Sequence, residues 1–184
     1  GVFGQDSVVN AIYDGKLFWF WGDTKRADSP LGNFEVSGAV SPLPGDGKYD
    51  PDEGVDLTYF TTQDGFSRAM CPIDGAGAVW INGLVVVEDN GRETMLSGYS
   101  RMEDLGTRQE VGIARWSDDK ELFEKYLEFP LDTPLELFGH PIKIVREGQP
   151  WFYFGHAMPN VRVRANLRDL ADPQKYQAFT SLRP

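Results

Sequence analysis

The chain of 184 residues is long enough to form one domain with a sizeable hydrophobic core. Its formal net charge of −10 argues against nucleic acid as a partner, because phosphate binding requires clustered lysines and arginines. No apolar run approaches the roughly 20 residues of a membrane-spanning helix, so we expect no membrane insertion.

Aromatic residues make up 13% of the chain, which also contains 20 glycines and 12 prolines. This composition is typical of a turn-rich β protein. The one cysteine, Cys71, cannot form an internal disulfide and is expected to be a small buried hydrophobic residue. Residues 1–6 contain no signal peptide, and a strand pattern follows at once, which suggests a trimmed N-terminus.

The first predicted unit opens with a hairpin. Residues 8–12 and 17–21 are rich in β-branched and aromatic side chains, and the Asp14-Gly15 pair between them supplies the turn. Further strands are predicted at 34–41, 55–60 and 66–71. The acids of the loop at 42–54 resemble a calcium loop only loosely, so a solvated loop is favoured over a metal site.

The pattern then restarts twice. The second unit has strand patterns at residues 78–88, 92–102, 111–116 and 122–129. The third unit has them at residues 140–145, 151–156, 161–166 and 176–182, with a loop or one helical turn at 167–173. We therefore predict a single domain of three units, at about residues 1–72, 73–133 and 134–184.

In each unit the second strand ends in a glycine, which is Gly22, Gly98 or Gly155. Repeated four-stranded antiparallel units are the sequence form of propeller blades, so an all-β propeller is predicted and very little helix is expected. A β-sandwich with a similar number of strands remains an alternative. Three blades are fewer than the roughly four to eight that close a propeller. Either the natural protein is longer, which is favoured, or blades associate between chains.

Three segments resemble the five-bladed β-propeller glycosidases of the arabinanase, xylosidase and invertase-like type. They are DSVV at residues 6–9, DGKLFWFWGDT at 14–24 and GIARWSDDKELFEKY at 112–126. The resemblance implies five blades in the full protein, about three of them in this chain, and hydrolysis of a poly- or oligosaccharide. The family usually has a proline after the first acid, where this chain has Ser7.

The resemblance also implies three acids at the mouth of a central channel, each from the first strand of its blade. Asp6 matches the first acid, which is the base or nucleophile, and Asp74 is the nearest candidate for the second. Where the family has its general acid, this chain has Gly139-His140-Pro141, and a protonated His140 could donate the proton instead. Structural roles stay open for these residues, since an Asp before a strand often caps a turn.

Candidate substrate-binding residues are Trp21, Asp23, Arg115 and His156. Indole rings suit the apolar faces of sugars, although most of the five tryptophans are expected in the core. Local Asp-Thr capping explains Asp23 equally well. No closely spaced ligand pair supports a metal site, and no cofactor is expected. Motifs of serine hydrolases, nucleotide-binding enzymes and zincins are absent from the sequence.

Two classes of function are therefore consistent with the sequence. The first is a glycoside hydrolase or related carbohydrate-active protein, and the second is a non-catalytic propeller that binds glycan or protein. Carbohydrate is the expected partner, with self-association if the propeller is incomplete, and a secreted or periplasmic location is expected. Catalysis requires Asp6 and His140 on one channel rim, within roughly 10 Å.

Overall fold

The computed structural model describes residues 2–26, 35–45, 52, 54–155 and 158–179. These residues form three four-stranded antiparallel sheets and one two-stranded ribbon. The described helices are a single turn, α1 (Leu167–Leu170), and a 3-10 turn at Pro173–Lys175. The prediction of an all-β chain is therefore confirmed.

The first sheet grows from the predicted hairpin. Its strands, in spatial order, are β2 (Val8–Tyr13), β3 (Lys16–Trp21), β5 (Ser37–Ser41) and β6 (Thr58–Tyr59). The Asp14 and Gly15 backbones take φ values of 46° and 68°, as the two-residue turn requires. Beside this sheet, β1 (Val2–Gln5) pairs with β4 (Thr24–Arg26).

The predicted strand at 66–71 is wrong, because this segment connects two sheets instead of extending one. It makes a single bridge, between Ser67 and Thr61. The Met70 N–H donates to the Val36 carbonyl at 2.8 Å, and the Met70 carbonyl accepts from the Phe123 N–H at 2.7 Å. Since Phe123 belongs to the second sheet, the hydrogen bonds of Met70 join the first sheet to the second.

The second sheet contains the four predicted strands. They are β7 (Ala78–Asp89), β8 (Arg92–Met102), β9 (Arg108–Ser117) and β10 (Leu122–Phe129), in consecutive order. The sequence of β10 also suits a helix, but pairing with β9 and the following Pro130 favour the strand.

The third sheet repeats this consecutive order. Its strands are β11 (Ile142–Arg146), β12 (Gln149–Phe154), β13 (Val161–Arg164) and β14 (Gln177–Ala178). Of the two alternatives predicted at 167–173, a loop or one helical turn, the structure has the helical turn α1, which is capped by the Asn166 side chain accepting from the Asp169 N–H at 2.9 Å. The last predicted strand is shorter than expected, and its residues 180–182 lie outside the described part of the chain.

The middle sheet buries both of its faces. One core lies between the first and second sheets, where the Phe20 ring packs on Phe123 at 5.0 Å and on Trp116 at 5.8 Å. The other core lies between the second and third sheets and includes Leu96 and Phe154. Cys71 is buried in the first core, as predicted, and burial raises the pKa of its thiol to about 12.

The expectation that most tryptophans lie in the core is wrong. Trp116 belongs to a core cluster, whereas the other four are half-buried, namely Trp19, Trp21, Trp80 and Trp151. The phenylalanines take the inward positions of β3 instead. Strand alternation explains this, because Phe18 and Phe20 face the second sheet while Trp19 and Trp21 face away from it.

Two of the three recurrent glycines mark close backbone contacts. A Cβ at Gly98 would lie 2.3 Å from the Leu137 carbonyl oxygen, and one at Gly155 would lie 2.2 Å from the Met158 carbonyl oxygen. At Gly22 the nearest atom is the Asp6 carbonyl oxygen, at an ordinary 3.4 Å. Glycine is therefore required at positions 98 and 155 because a side chain there would clash with a neighbouring backbone carbonyl.

A buried carboxylate crosslinks the strands of the second sheet. Glu110 accepts hydrogen bonds from the Tyr99 hydroxyl at 2.6 Å, Lys125 Nζ at 2.6 Å and Arg101 Nη2 at 3.2 Å. Burial alone would raise the pKa of Glu110, but the bonds from Lys125, Tyr99 and Arg101 outweigh it and hold the pKa below its ordinary value.

The Glu110 network should stabilise the folded chain more at neutral pH than in acid. Because the pKa of Glu110 is lower in the folded chain than in the unfolded one, its carboxylate stabilises the fold above about pH 4.5. That contribution is lost as the pH falls through the folded-state pKa. We expect Glu110→Gln to reduce the free energy of unfolding at pH 7, and the deficit relative to wild type to shrink in acid. Urea titrations between pH 3 and pH 7 measure both effects.

The matched control is Glu88→Gln, which removes one exposed carboxylate from β7. The difference in free energy of unfolding between Glu88→Gln and wild type should stay nearly constant across the same pH range. An equal pH dependence in both variants would show that the Glu110 network does not carry the effect.

Candidate functional site

A cavity of about 500 Å³ lies where the beginnings of the three sheets meet. The first sheet contributes Asp6 to Val9 and Phe20 to Asp23, and the second contributes Trp80 to Asn82. The segment entering the third sheet contributes Phe138 to His140, and Leu105 and Gly155 complete the wall. Each sheet therefore lines the cavity with the first strand of its unit or with the segment leading into it.

Asp6 is held at the cavity by the backbone of the segment that follows β3. Its N–H donates to the Asp23 carbonyl at 2.9 Å, and its carbonyl accepts from the Gly22 N–H at 2.8 Å. The Asp6 side chain is exposed, and its Oδ1 accepts from the Ser7 N–H at 2.7 Å. The carboxylate is thus oriented by its own chain while remaining accessible.

The backbone conformation at Ser7 excludes the proline that the similar glycosidases usually have at this position. The Ser7 backbone has a φ of 44°, in the left-handed region. Proline is fixed near −65° and has no N–H, so it could neither adopt this conformation nor donate to the Asp6 carboxylate. The entrance to β2 therefore has a geometry that an Asp-Pro pair could not form.

His140 enters the cavity from the third sheet. The Gly139 carbonyl accepts from the Gly83 N–H at 3.0 Å, which fixes the segment before β11 against β7. Gly139 itself has a φ of 67°, and the His140 side chain is exposed. A second cavity of about 140 Å³ also includes His140 and lies between Asn10 of β2 and Leu84 of β7.

Trp21 and Asp23 also line the larger cavity. The Trp21 ring stacks on Tyr59 at 5.7 Å and on Trp19 at 6.4 Å. Asp23 Oδ1 is buried and has no hydrogen-bond partner within the described ranges. The hydroxyl of Thr24, the residue expected to pair with Asp23 in a local cap, hydrogen-bonds to the Ser37 hydroxyl at 2.7 Å. A buried carboxylate oxygen without a partner is an acceptor available to a ligand hydroxyl.

Two predicted site residues, Asp74 and Arg115, are not brought to this cavity. Asp74 is exposed on the loop before β7, where Arg101 Nη1 donates to the Ala76 carbonyl at 2.8 Å. Arg115 is exposed on β9, opposite Glu124 of β10. Neither residue lines the cavity. His156 lies outside the described residues.

The sequence did not single out Asn82 as a site residue. The Asn82-Gly83 pair interrupts the apolar pattern of the strand predicted at 78–88, and it forms an irregularity inside β7, where the register with β8 shifts and Gly83 has a φ of 64°. A glycine inside a strand pattern is the signal that indicates such a bulge.

Among the described residues, no group of three or more His, Cys, Asp or Glu side chains is arranged to hold a metal ion. No helix in the described part of the chain has the length and the apolar composition needed to cross a membrane. Comparison of the chain with models of protein families, with curated proteins and with solved structures finds no match.

Proposed function

We propose that this chain is a carbohydrate-active protein of the glycoside hydrolase type, and that its saccharide substrate binds in the 500 Å³ cavity. The observation that carries the proposal is that Asp6 and His140, from different sheets, line one cavity together with Trp21 and Trp80. Indole faces match the apolar faces of sugar rings. A volume of this size is ordinary for a small-molecule site.

The proposed reaction uses one carboxylate and one imidazole. Asp6 activates water or attacks the anomeric carbon, since its carboxylate is exposed and oriented by the Ser7 N–H. His140, when protonated, donates the proton to the departing glycosidic oxygen. The unpartnered Oδ1 of Asp23 accepts a hydrogen bond from a substrate hydroxyl.

We further propose that the three sheets are consecutive blades of a β-propeller. The first strands β2 and β7 contact each other, and the 140 Å³ cavity is lined by β2, β7 and the segment entering β11. In each sheet the following strands lie in order away from the first strand. First strands around a shared central space are the arrangement of propeller blades.

A non-catalytic glycan-binding protein is the second candidate. It is favoured by the position of Asp74, which does not line the cavity. The two aspartates of the cavity wall, Asp6 and Asp23, both come from the first sheet, so no described carboxylate of the second or third sheet faces them there. Binding would still use Trp21 and Asp23 in the same way.

A panel of oligosaccharides tests both candidates. We expect at least one member to bind, measured by calorimetry, and to be cleaved, measured by chromatography of the products. Trp21→Ala should weaken binding about tenfold, the order of a lost aromatic contact. Tyr126→Ala, at an exposed position of β10, is the control and should leave this binding unchanged. Binding without cleavage would select the second candidate, and the absence of binding across the panel would contradict both.

A further inference from the structure

A third cavity lies on the face of the third sheet that points away from the second sheet. Phe152, Phe154 and Val163 point into the core, so the alternate residues of β12 and β13 form the outer face. On that face Tyr153 lies opposite Arg162 and Trp151 lies opposite Arg164. The cavity has a volume of about 440 Å³, and its walls include Arg146, Tyr153, Asn160, Arg162, Gln177 and Phe179.

The Arg162 guanidinium is held rigidly in this cavity. Its Nη1 donates to the Tyr153 hydroxyl at 3.1 Å, and its Nε donates to Gln177 Oε1 at 2.9 Å. Its central carbon lies 4.4 Å from the centroid of the Trp151 ring. Three contacts with uncharged groups orient the guanidinium without neutralising it, so little conformational freedom is lost when an anion binds.

A second guanidinium lines the same cavity. Arg146, at the exposed end of β11, forms part of its wall, and the pKa of Tyr153 is lowered mainly by the hydrogen bond from Arg162 and further by Arg146. Two like charges in one cavity repel each other, and an oxyanion placed between them would remove that repulsion. The geometry thus marks a position for a negative group.

No described acid occupies that position. The ion pairs of the described residues involve Arg101, Arg108, Lys120 and Lys125, none of which lies on the third sheet. The whole chain has 28 acidic residues against 18 basic ones, so an unpaired cluster of arginines is a local exception to its charge. A guanidinium recognises a carboxylate or another oxyanion of similar geometry through two parallel hydrogen bonds.

We propose that this cavity binds an acidic sugar residue, meaning a monosaccharide unit that carries a carboxylate or a sulfate ester. Arg146 and Arg162 bind the oxyanion, and the exposed side chains of Met158 and Phe179 supply an apolar wall for the ring. The oxyanion follows from the arginines alone, whereas the choice of a sugar as its carrier rests on the proposed function.

Calorimetry at constant ionic strength tests this site with four probes: glucuronate, glucose 6-sulfate, glucose and inorganic sulfate. We expect saturable binding of glucuronate or glucose 6-sulfate, weaker binding of inorganic sulfate and none of glucose. The better of the first two probes identifies the anionic group. Arg162→Gln and Arg146→Gln should each weaken binding at least tenfold. Arg146 is exposed at a hairpin end, so its replacement keeps the test valid if Arg162→Gln does not fold.

Arg92→Gln is the control, because it removes one positive charge at the exposed β7–β8 hairpin. It should leave the affinity unchanged. Equal losses from Arg92→Gln and Arg146→Gln, or equal affinity for glucose and glucuronate, would overturn the proposal. Binding of inorganic sulfate without either sugar would also overturn it. The four probes and the arginine variants report on this cavity, whereas oligosaccharide cleavage reports on the 500 Å³ cavity, so failure of one proposal is distinguishable from failure of the other.

Discussion

Asp6→Asn is expected to lower the rate of saccharide hydrolysis by at least about 100-fold, the lower end of what a positioned base contributes. Asparagine has nearly the same shape as aspartate but cannot accept a proton or attack as an anion. Its side-chain oxygen can still accept the Ser7 N–H that now bonds to Asp6 Oδ1 at 2.7 Å. The melting temperature should therefore stay close to that of wild type while steady-state cleavage of the best oligosaccharide falls.

Asp23→Asn is the matched control for this variant. Asp23 lines the same cavity and its segment is hydrogen-bonded to that of Asp6, but we assign it to a substrate hydroxyl rather than to the reacting bond. Asp23→Asn should weaken substrate binding but lower the turnover rate much less than Asp6→Asn does. Equal losses from both variants would mean that Asp6 has no special role, and full activity in Asp6→Asn would remove it from the mechanism.

Phe20→Ala is expected to destabilise the fold by about 3–5 kcal/mol, the range for truncating a buried aromatic side chain. The Phe20 side chain is fully buried and contacts Trp116 and Phe123 of the second sheet. A methyl group would leave a cavity in the core that joins the first two sheets. Guanidinium or urea unfolding followed by tryptophan fluorescence measures the loss.

Phe179→Ala provides the comparison, because the Phe179 side chain is 76% exposed. Removing the same ring there should change the free energy of unfolding by no more than about 0.5 kcal/mol. A small loss at Phe20 would show that the first and second sheets are not held together by this core.

Local chemistry determined most of the secondary structure. The Asp14-Gly15 pair requires positive φ values and is found in a two-residue turn with φ of 46° and 68°. The alternation of Phe and Trp along β3 decides which side chains face the core. The four strands of the second sheet follow from turns at Asn90-Gly91 and Asp118-Asp119 with apolar runs between them. Such signals act over a few residues, so they can be recognised from the sequence alone.

The tertiary structure decided what depends on distant segments. Whether Asp6 and His140 meet depends on how three sheets stack, since 133 residues separate them in the chain. The family resemblance implied Asp74 as a third member of the site, but Asp74 does not line the cavity, and in its loop Arg101 donates to the Ala76 carbonyl. Arg146 and Arg162 line one cavity only in the folded third sheet, where pairing of β12 with β13 makes Arg162 the partner of Tyr153. Side-chain type is local information, whereas proximity across strands and sheets is a property of the folded chain.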